Sequence, residues 1–92
     1  MATYVMFGKY SLESLKAIST KRSDKAMALI KENGGEVKEA YALLGDTDLL
    51  VILDLPDMEH AMKTSLALSK LLGVSFSTMP AVSVEQLDKL VG

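Results

Sequence analysis

His60 is the only histidine in a chain without cysteine, so no metal cluster built on histidine or thiolate can form within one copy. The run Met58-Glu59-His60-Ala61-Met62 has the residue types of a soft-metal or copper site. Helix geometry separates them. Two residues turn an α-helix by about 200°, so His60 points away from the face shared by Met58 and Met62. Axial haem ligation would rest on one exposed imidazole. The residues therefore predict no metal and no cofactor. His60→Ala is expected to leave fold and metal content unchanged, and a stoichiometric metal or haem lost on that change would overturn this.

Carboxylates offer a second chemistry. Asp46, Asp48, Asp54 and Asp57 bracket the apolar run Leu49-Leu50-Val51-Ile52-Leu53. Asp46 falls in a turn, where acidic side chains bond their own backbone, and Asp57 falls where a helix N-cap belongs. Asp54 differs, because it shares a strand face with Leu50 and Ile52. If that face is covered, its carboxylate needs a partner or a raised pKa, which makes it the acid/base candidate; strand-end solvation is the alternative. Tyr41 is placed on the side of Val37 and Leu43, with its hydroxyl free for a ligand or simply at the margin of the core. Tyr41, Asp54, Tyr10 and Asp48 are the candidate ligand-binding residues. No nucleophile-with-base arrangement, phosphate-cradling glycine loop or basic-aromatic stripe is present, so no catalytic residue is assigned.

Ninety-two residues suffice for one domain, residues 1–92. A chain of this size buries only about 60–65% of its unfolded surface and gains from a partner. Net charge −2, from ten basic and twelve acidic residues, argues against a nucleic-acid partner. Lys21, Arg22 and Lys25 form a small basic cluster interrupted by Asp24, read as a solvated helix start. No apolar run approaches a membrane span, and Met1-Ala2-Thr3-Tyr4-Val5 lacks the features of a signal peptide. The expected location is cytoplasmic.

The elements that must position these residues follow from punctuation and period. Thr3 to Lys9 has strand composition. Ser11 caps a short helix carrying Leu12, Leu15 and Ile18. Ser23 or Asp24 caps a second helix with Met27 and Ile30 on one face, stopped by Asn33-Gly34-Gly35. Val37 to Leu44 and Asp48 to Leu55 are strands joined by a tight turn at Gly45-Asp46. Pro56 ends the latter. A helix from Met58 to Leu72, with Met58, Ala61, Met62, Leu66 and Leu72 at helical spacing, closes at Gly73. Met6, Met27, Met58 and Met62 read as core gap-fillers. Val74 to Val82 is a fourth strand. Ser83 and Gln86 form a capping box opening a final helix that buries Leu87, Leu90 and Val91.

The order β-α-β-β-α-β-α is the ferredoxin-like split-βαβ pattern of an α+β fold, with antiparallel sheet order 4-1-3-2 and an extra C-terminal helix. Pro80 in the fourth strand and Lys38 and Glu39 in the second suit sheet edges. The central strands are apolar on both faces, where a half-buried antiparallel strand alternates. Two helices cover one face, so the other needs a cover. The short C-terminal helix could cover part of it, but the predicted cover is another copy, giving a dimeric α+β barrel with Leu50, Ile52, Tyr4 and Met6 at the interface. A charge at Ile52 is expected to dissociate the dimer or unfold the chain.

The segment Gly45-Asp46-Thr47-Asp48, with Leu50-Val51-Ile52 behind it and Pro56-Asp57 opening the next helix, resembles the GYD-domain family. The likeness extends to Tyr4-Val5-Met6-Phe7-Gly8-Lys9-Tyr10 and Gly34-Gly35-Glu36-Val37-Lys38. Gly45 and Asp48 match the glycine-tyrosine-aspartate signature for which that family is named, while Thr47 stands where the tyrosine is expected. The resemblance implies the fold and supplies no catalytic residue. It extends to the wider group of dimeric α+β-barrel proteins. Two functions are compatible with these readings. One is a homo-dimeric or larger homo-oligomeric module binding a small molecule or a protein partner. The alternative is a small cofactor-free enzyme, monooxygenase- or isomerase-like, acting on an apolar substrate in the sheet-helix cleft with Asp54 or Tyr41 assisting proton transfer.

Overall fold

A computed structural model describes residues 1–92. Its elements run β1 (Ala2–Tyr10), α1 (Leu12–Lys16), α2 (Thr20–Glu32), β2 (Glu36–Ala42), β3 (Leu49–Leu55), α3 (Met58–Leu72), β4 (Val74–Ala81) and α4 (Val84–Val91). The strands form one antiparallel sheet in the order β2-β3-β1-β4. β1 and β3 are therefore central, and Pro80 lies on an edge strand where its missing N–H costs no ladder bond.

Local chemistry explains most boundaries. Asp57 accepts from the His60 backbone N–H at 2.9 Å and opens α3. Gly73, with φ +66°, ends α3 in the left-handed conformation, which glycine adopts without steric cost because it has no Cβ. Ser83 takes the Gln86 N–H and opens α4. The cap of α2 is Ser19 rather than Ser23 or Asp24. Its hydroxyl accepts from Arg22 N, so the helix starts at Thr20, and Ser23 becomes an interior residue bonding back to the Ser19 carbonyl. The β2–β3 connection is also longer than a two-residue turn. Residues 43–48 span it, closed by Leu43 N–H donating to the Asp48 carbonyl at 2.8 Å.

The core lies between one sheet face and the helices α2 and α3. It comprises Tyr4 and Met6 of β1, Leu53 and Leu55 of β3, Ile30 of α2, and Ala61 and Leu68 of α3. Tyr4 and Met6 are thus buried inside the chain and do not belong to an open interface, as the pattern had suggested. The register explains this. Tyr4 pairs with Leu53 and Met6 with Val51, whereas Val5 pairs with Ile52 and Phe7 with Leu50. Residues paired across antiparallel strands share a face, so Val5 and Phe7 accompany Leu50 and Ile52 on the face without helices.

The methionines of α3 are also displaced from their expected place. Ala61, Thr64 and Leu68 point into the core, while Met58, Met62 and Leu66 are exposed along one shoulder of the helix. Leu12 and Leu15 of α1 are exposed, and Ser14 is the buried residue there. In α4 no residue is buried, and Leu87, Leu90 and Val91 are exposed. α4 therefore does not cover the open sheet face.

Thr64 is fully buried with its hydroxyl lacking a partner. A desolvated, unbonded hydroxyl is a net cost, so Thr64→Val is expected to raise stability by about 1 kcal/mol. An upward shift of the urea midpoint would register this, and a downward shift would reveal a hidden bond.

Candidate functional site

The bulge in β2 decides which side chains meet. Val37 pairs with Leu53 and Glu39 with Ile52, so Lys38 is the extra residue. It resets the alternation. Val37 and Ala40 face the helices, whereas Glu39 and Tyr41 join Ile52 and Leu50 on the open face. Tyr41 is consequently parted from Val37, contrary to the simple period of two. Its hydroxyl donates to Glu39 Oε2 at 2.9 Å, and that bond, with the charge behind it, raises the phenol above its ordinary pKa.

Asp54 sits on the same open face. Its Oδ1 accepts from the Thr3 hydroxyl at 2.7 Å and its Oδ2 lies 3.4 Å from Lys38 Nζ. The Thr3 bond first, and the Lys38 ammonium after it, hold this carboxyl below its usual value despite partial desolvation. Asp54 is an anion with two partners and is unsuited to general acid chemistry near neutral pH. Asp57 is likewise lowered, chiefly by the His60 backbone N–H and then by the His60 ring, whose Nδ1 lies 2.6 Å from Oδ1. His60 is thereby engaged with its own helix cap. No group of three or more His, Cys, Asp or Glu side chains is placed to hold a metal.

These depressed carboxylates carry a pH dependence with a defined sign. A folded-state pKa below the unfolded one contributes stability above the ordinary value of 3.8, and that contribution is lost as pH falls through the folded value. Denaturant midpoints should therefore drop on acidification below about pH 4. Asp54→Asn should flatten part of that drop, and an unchanged acid profile in the variant would refute the assignment.

Asp48 plays a structural part. Its carboxylate accepts from the Tyr10 backbone N–H at 2.9 Å, and its own N–H donates to the Gly8 carbonyl at 2.8 Å. The loop before β3 is thus pinned to the end of β1. The aspartate of the turn has a clear architectural task, and it places Tyr10 at the mouth of a cleft.

That cleft lies between α2 and the sheet, with a cavity volume of about 160 Å³. Twelve of its 15 lining residues are hydrophobic, which makes its interior a low-polarity environment. Leu49, Val51 and Phe76 form its floor, Ala26 and Ile30 its roof, and Leu68 and Leu72 of α3 one wall. Its three other lining residues, Ser19, Arg22 and Ser23, belong to the cap and first turn of α2. Arg22 turns inward from the basic cluster. It donates from Nη1 to the Ser14 carbonyl at 2.9 Å, and from Nη2 to Ser14 Oγ and the Leu72 carbonyl, each at 2.6 Å. Ser14 Oγ also donates to the Leu72 carbonyl. Arg22 therefore ties α1 and α2 to the C-terminal end of α3, where carbonyl dipoles favour a cation.

Of the four candidate ligand residues, only Tyr10 lines this cleft, while Asp48 holds its backbone. Tyr41 and Asp54 lie on the opposite sheet face. Neither can pass a proton to a molecule in the sheet-helix cleft, so the enzymatic reading loses its two acid/base groups. Sequence reasoning missed Arg22. The available signal was its i, i+4, i+8 spacing with Ala26 and Ile30, which becomes visible once Ser19 is taken as the cap. A second groove, of about 240 Å³, runs along the other shoulder of α3 between Met58, Met62 and Thr78 and contains no charged side chain.

A four-stranded antiparallel sheet with helices on one face, in this element order, defines a ferredoxin-like α+β domain. The chain belongs to the GYD domain family, whose family model matches residues 4–91. No functionally curated protein matches the sequence. Among solved structures, the leucine response regulatory protein of Mycobacterium tuberculosis is similar in fold, with a TM-score of 0.59 at 10% identity over 89% of this chain and 51% of that one. A glutamate-to-alanine mutant protein is similar to the same degree, at 0.59 and 10%, over 89% of this chain and 50% of that one. The chain thus spans about half the length of the solved chains it matches. No helix is long and apolar enough to cross a membrane.

Proposed function

We propose that this protein is a small homo-oligomeric binding module that holds a small molecule in the cleft beneath α2. The cleft carries the reading: an apolar cavity of about 160 Å³, floored by a rigid sheet, with its polar groups gathered at one end. Sites for small molecules characteristically combine apolar walls with a few placed polar groups. Binding fits these residues better than catalysis, since no side chain in the cleft is arranged to shuttle a proton. The fold neighbour's name, a leucine response regulatory protein, makes a regulatory use of such binding a natural extension, although the likeness is one of fold.

The open sheet face supports the oligomeric reading, since Val5, Phe7, Leu50 and Ile52 are only half-buried in a single copy. Two such faces packed together would form a dimeric α+β barrel. Native mass spectrometry of protein purified from its own source tests both parts at once. A dimer or larger assembly carrying a retained small-molecule adduct is expected. A bare monomer would overturn the reading.

A further inference from the structure

The cleft is amphipathic, and its polarity is of one sign. Three of the five guanidinium N–H groups of Arg22 are engaged, all with neutral acceptors, namely the Ser14 carbonyl, the Ser14 hydroxyl and the Leu72 carbonyl. Two donors remain, and no carboxylate lies within 4.0 Å of them. The charge is therefore held in place without a counter-ion, on the wall of a cavity whose other lining is almost wholly apolar. A cation beside low-polarity walls attracts an anion more strongly than it would in water. The planar fork of arginine matches the two oxygens of a carboxylate.

We infer that the cleft is a site for a small organic monocarboxylate with an aromatic or branched aliphatic body. This rests on the binding-module reading and adds the chemical class. Arg22 takes the carboxylate, and the Ser19 hydroxyl at the cap of α2, which accepts from the Arg22 backbone N–H and keeps its own proton, is placed to donate to a remaining lone pair. The body lies over Val51 and Phe76. Size sets a further limit. A cavity of about 160 Å³ is close to the engineered apolar cavity of about 150 Å³ that admits a single benzene ring. One ring or a short branched chain fits, and a long acyl chain or a nucleotide does not. A bare inorganic anion would leave the apolar part of the cavity unused.

Titration of the intact protein with benzoate, benzamide and acetate, followed by amide chemical shifts, tests the inference. Benzoate should perturb the amides of Arg22, Ala26, Val51 and Phe76, and should bind at least tenfold more tightly than either benzamide or acetate. Arg22→Gln should abolish the preference for benzoate over benzamide. Ala40→Phe, on the edge strand, narrows the cleft while leaving Arg22 in place, and should weaken both aromatic probes.

Equal binding of benzamide and benzoate would overturn the anionic class while leaving the binding module standing. Failure of every probe to bind in the cleft would overturn both. Arg22 also joins three helices, so the substitution can cost stability. The comparison of benzoate with benzamide on the unaltered protein decides the matter without it.

Discussion

Ile52→Asp is expected to reduce the assembly to a folded monomer, with light scattering falling from at least twice the 9.9 kDa chain mass to that mass. Ile52 lies at the middle of the open face, with Val5 beside it on β1 and Glu39 on β2. Within one copy it is half-buried, so a carboxylate there can reach water and the fold survives. In a face-to-face dimer it would be desolvated twice, once per copy, with no cation assigned to it. Asp54 lies two residues along the same face and already uses Lys38, so the new charge adds repulsion. The proposed interface would be built from several apolar side chains, each worth about 1.5–3 kcal/mol when fully buried. That sum must exceed an association cost of about 4–15 kcal/mol. One buried charge per copy is enough to reverse such a balance. An unmodified protein that is monomeric at micromolar concentration, or a variant that remains dimeric, would show that the open face is not the interface.

The second large effect concerns the core. Leu53→Ala should lower unfolding free energy by about 2–5 kcal/mol. Leu53 is completely buried, and it pairs with Tyr4 on one side and Val37 on the other. Only 11 of 92 residues are buried, so little is held in reserve. Against a typical total of about 5–15 kcal/mol, the loss is a large fraction. Leu66→Ala provides the contrast. Leu66 shares the helical spacing of Met58 and Met62, yet it is 61% exposed. Its truncation should cost well under about 1 kcal/mol, within the range of ordinary surface substitutions. Urea unfolding of the two variants measures the difference directly. Similar losses in both would mean that the shoulder of α3 is covered in the assembled protein.

Much of the architecture is legible from local rules, because those rules concern neighbours in the chain. Ser11, Asp57 and Ser83 cap helices through an oxygen that reaches an amide three residues on. Gly73 stops α3 for a reason confined to its own dihedral angles. The edge positions of β2 and β4 follow from Lys38, Glu39 and Pro80, and the doubly apolar strands belong at the centre. Membership of the GYD domain family was likewise carried by a short pattern around Gly45 and Asp48 and by its flanks.

The facing of individual side chains was decided elsewhere. Alternation along β1 separates Val5 and Phe7 from Tyr4 and Met6, but it does not say which pair the helices cover. Pairing with β3 settles that, since Tyr4 meets Leu53 and Val5 meets Ile52. A single extra residue at Lys38 moves Tyr41 to the face opposite Val37, and no propensity at that position announces it. Helical period marks Met58, Met62 and Leu66 as one stripe, yet the residues that α3 buries are Ala61, Thr64 and Leu68, on a different side of the helix. Arg22 belongs by composition to a solvated basic cluster. Only the meeting of α1, α2 and the end of α3 brings its guanidinium to the Leu72 carbonyl and to the rim of an apolar cleft. Caps and stops depend on atoms a few bonds apart, so the sequence by itself determined them. The cleft, its charge and the open face depend on register and on contacts between distant segments, so only the tertiary structure decided those.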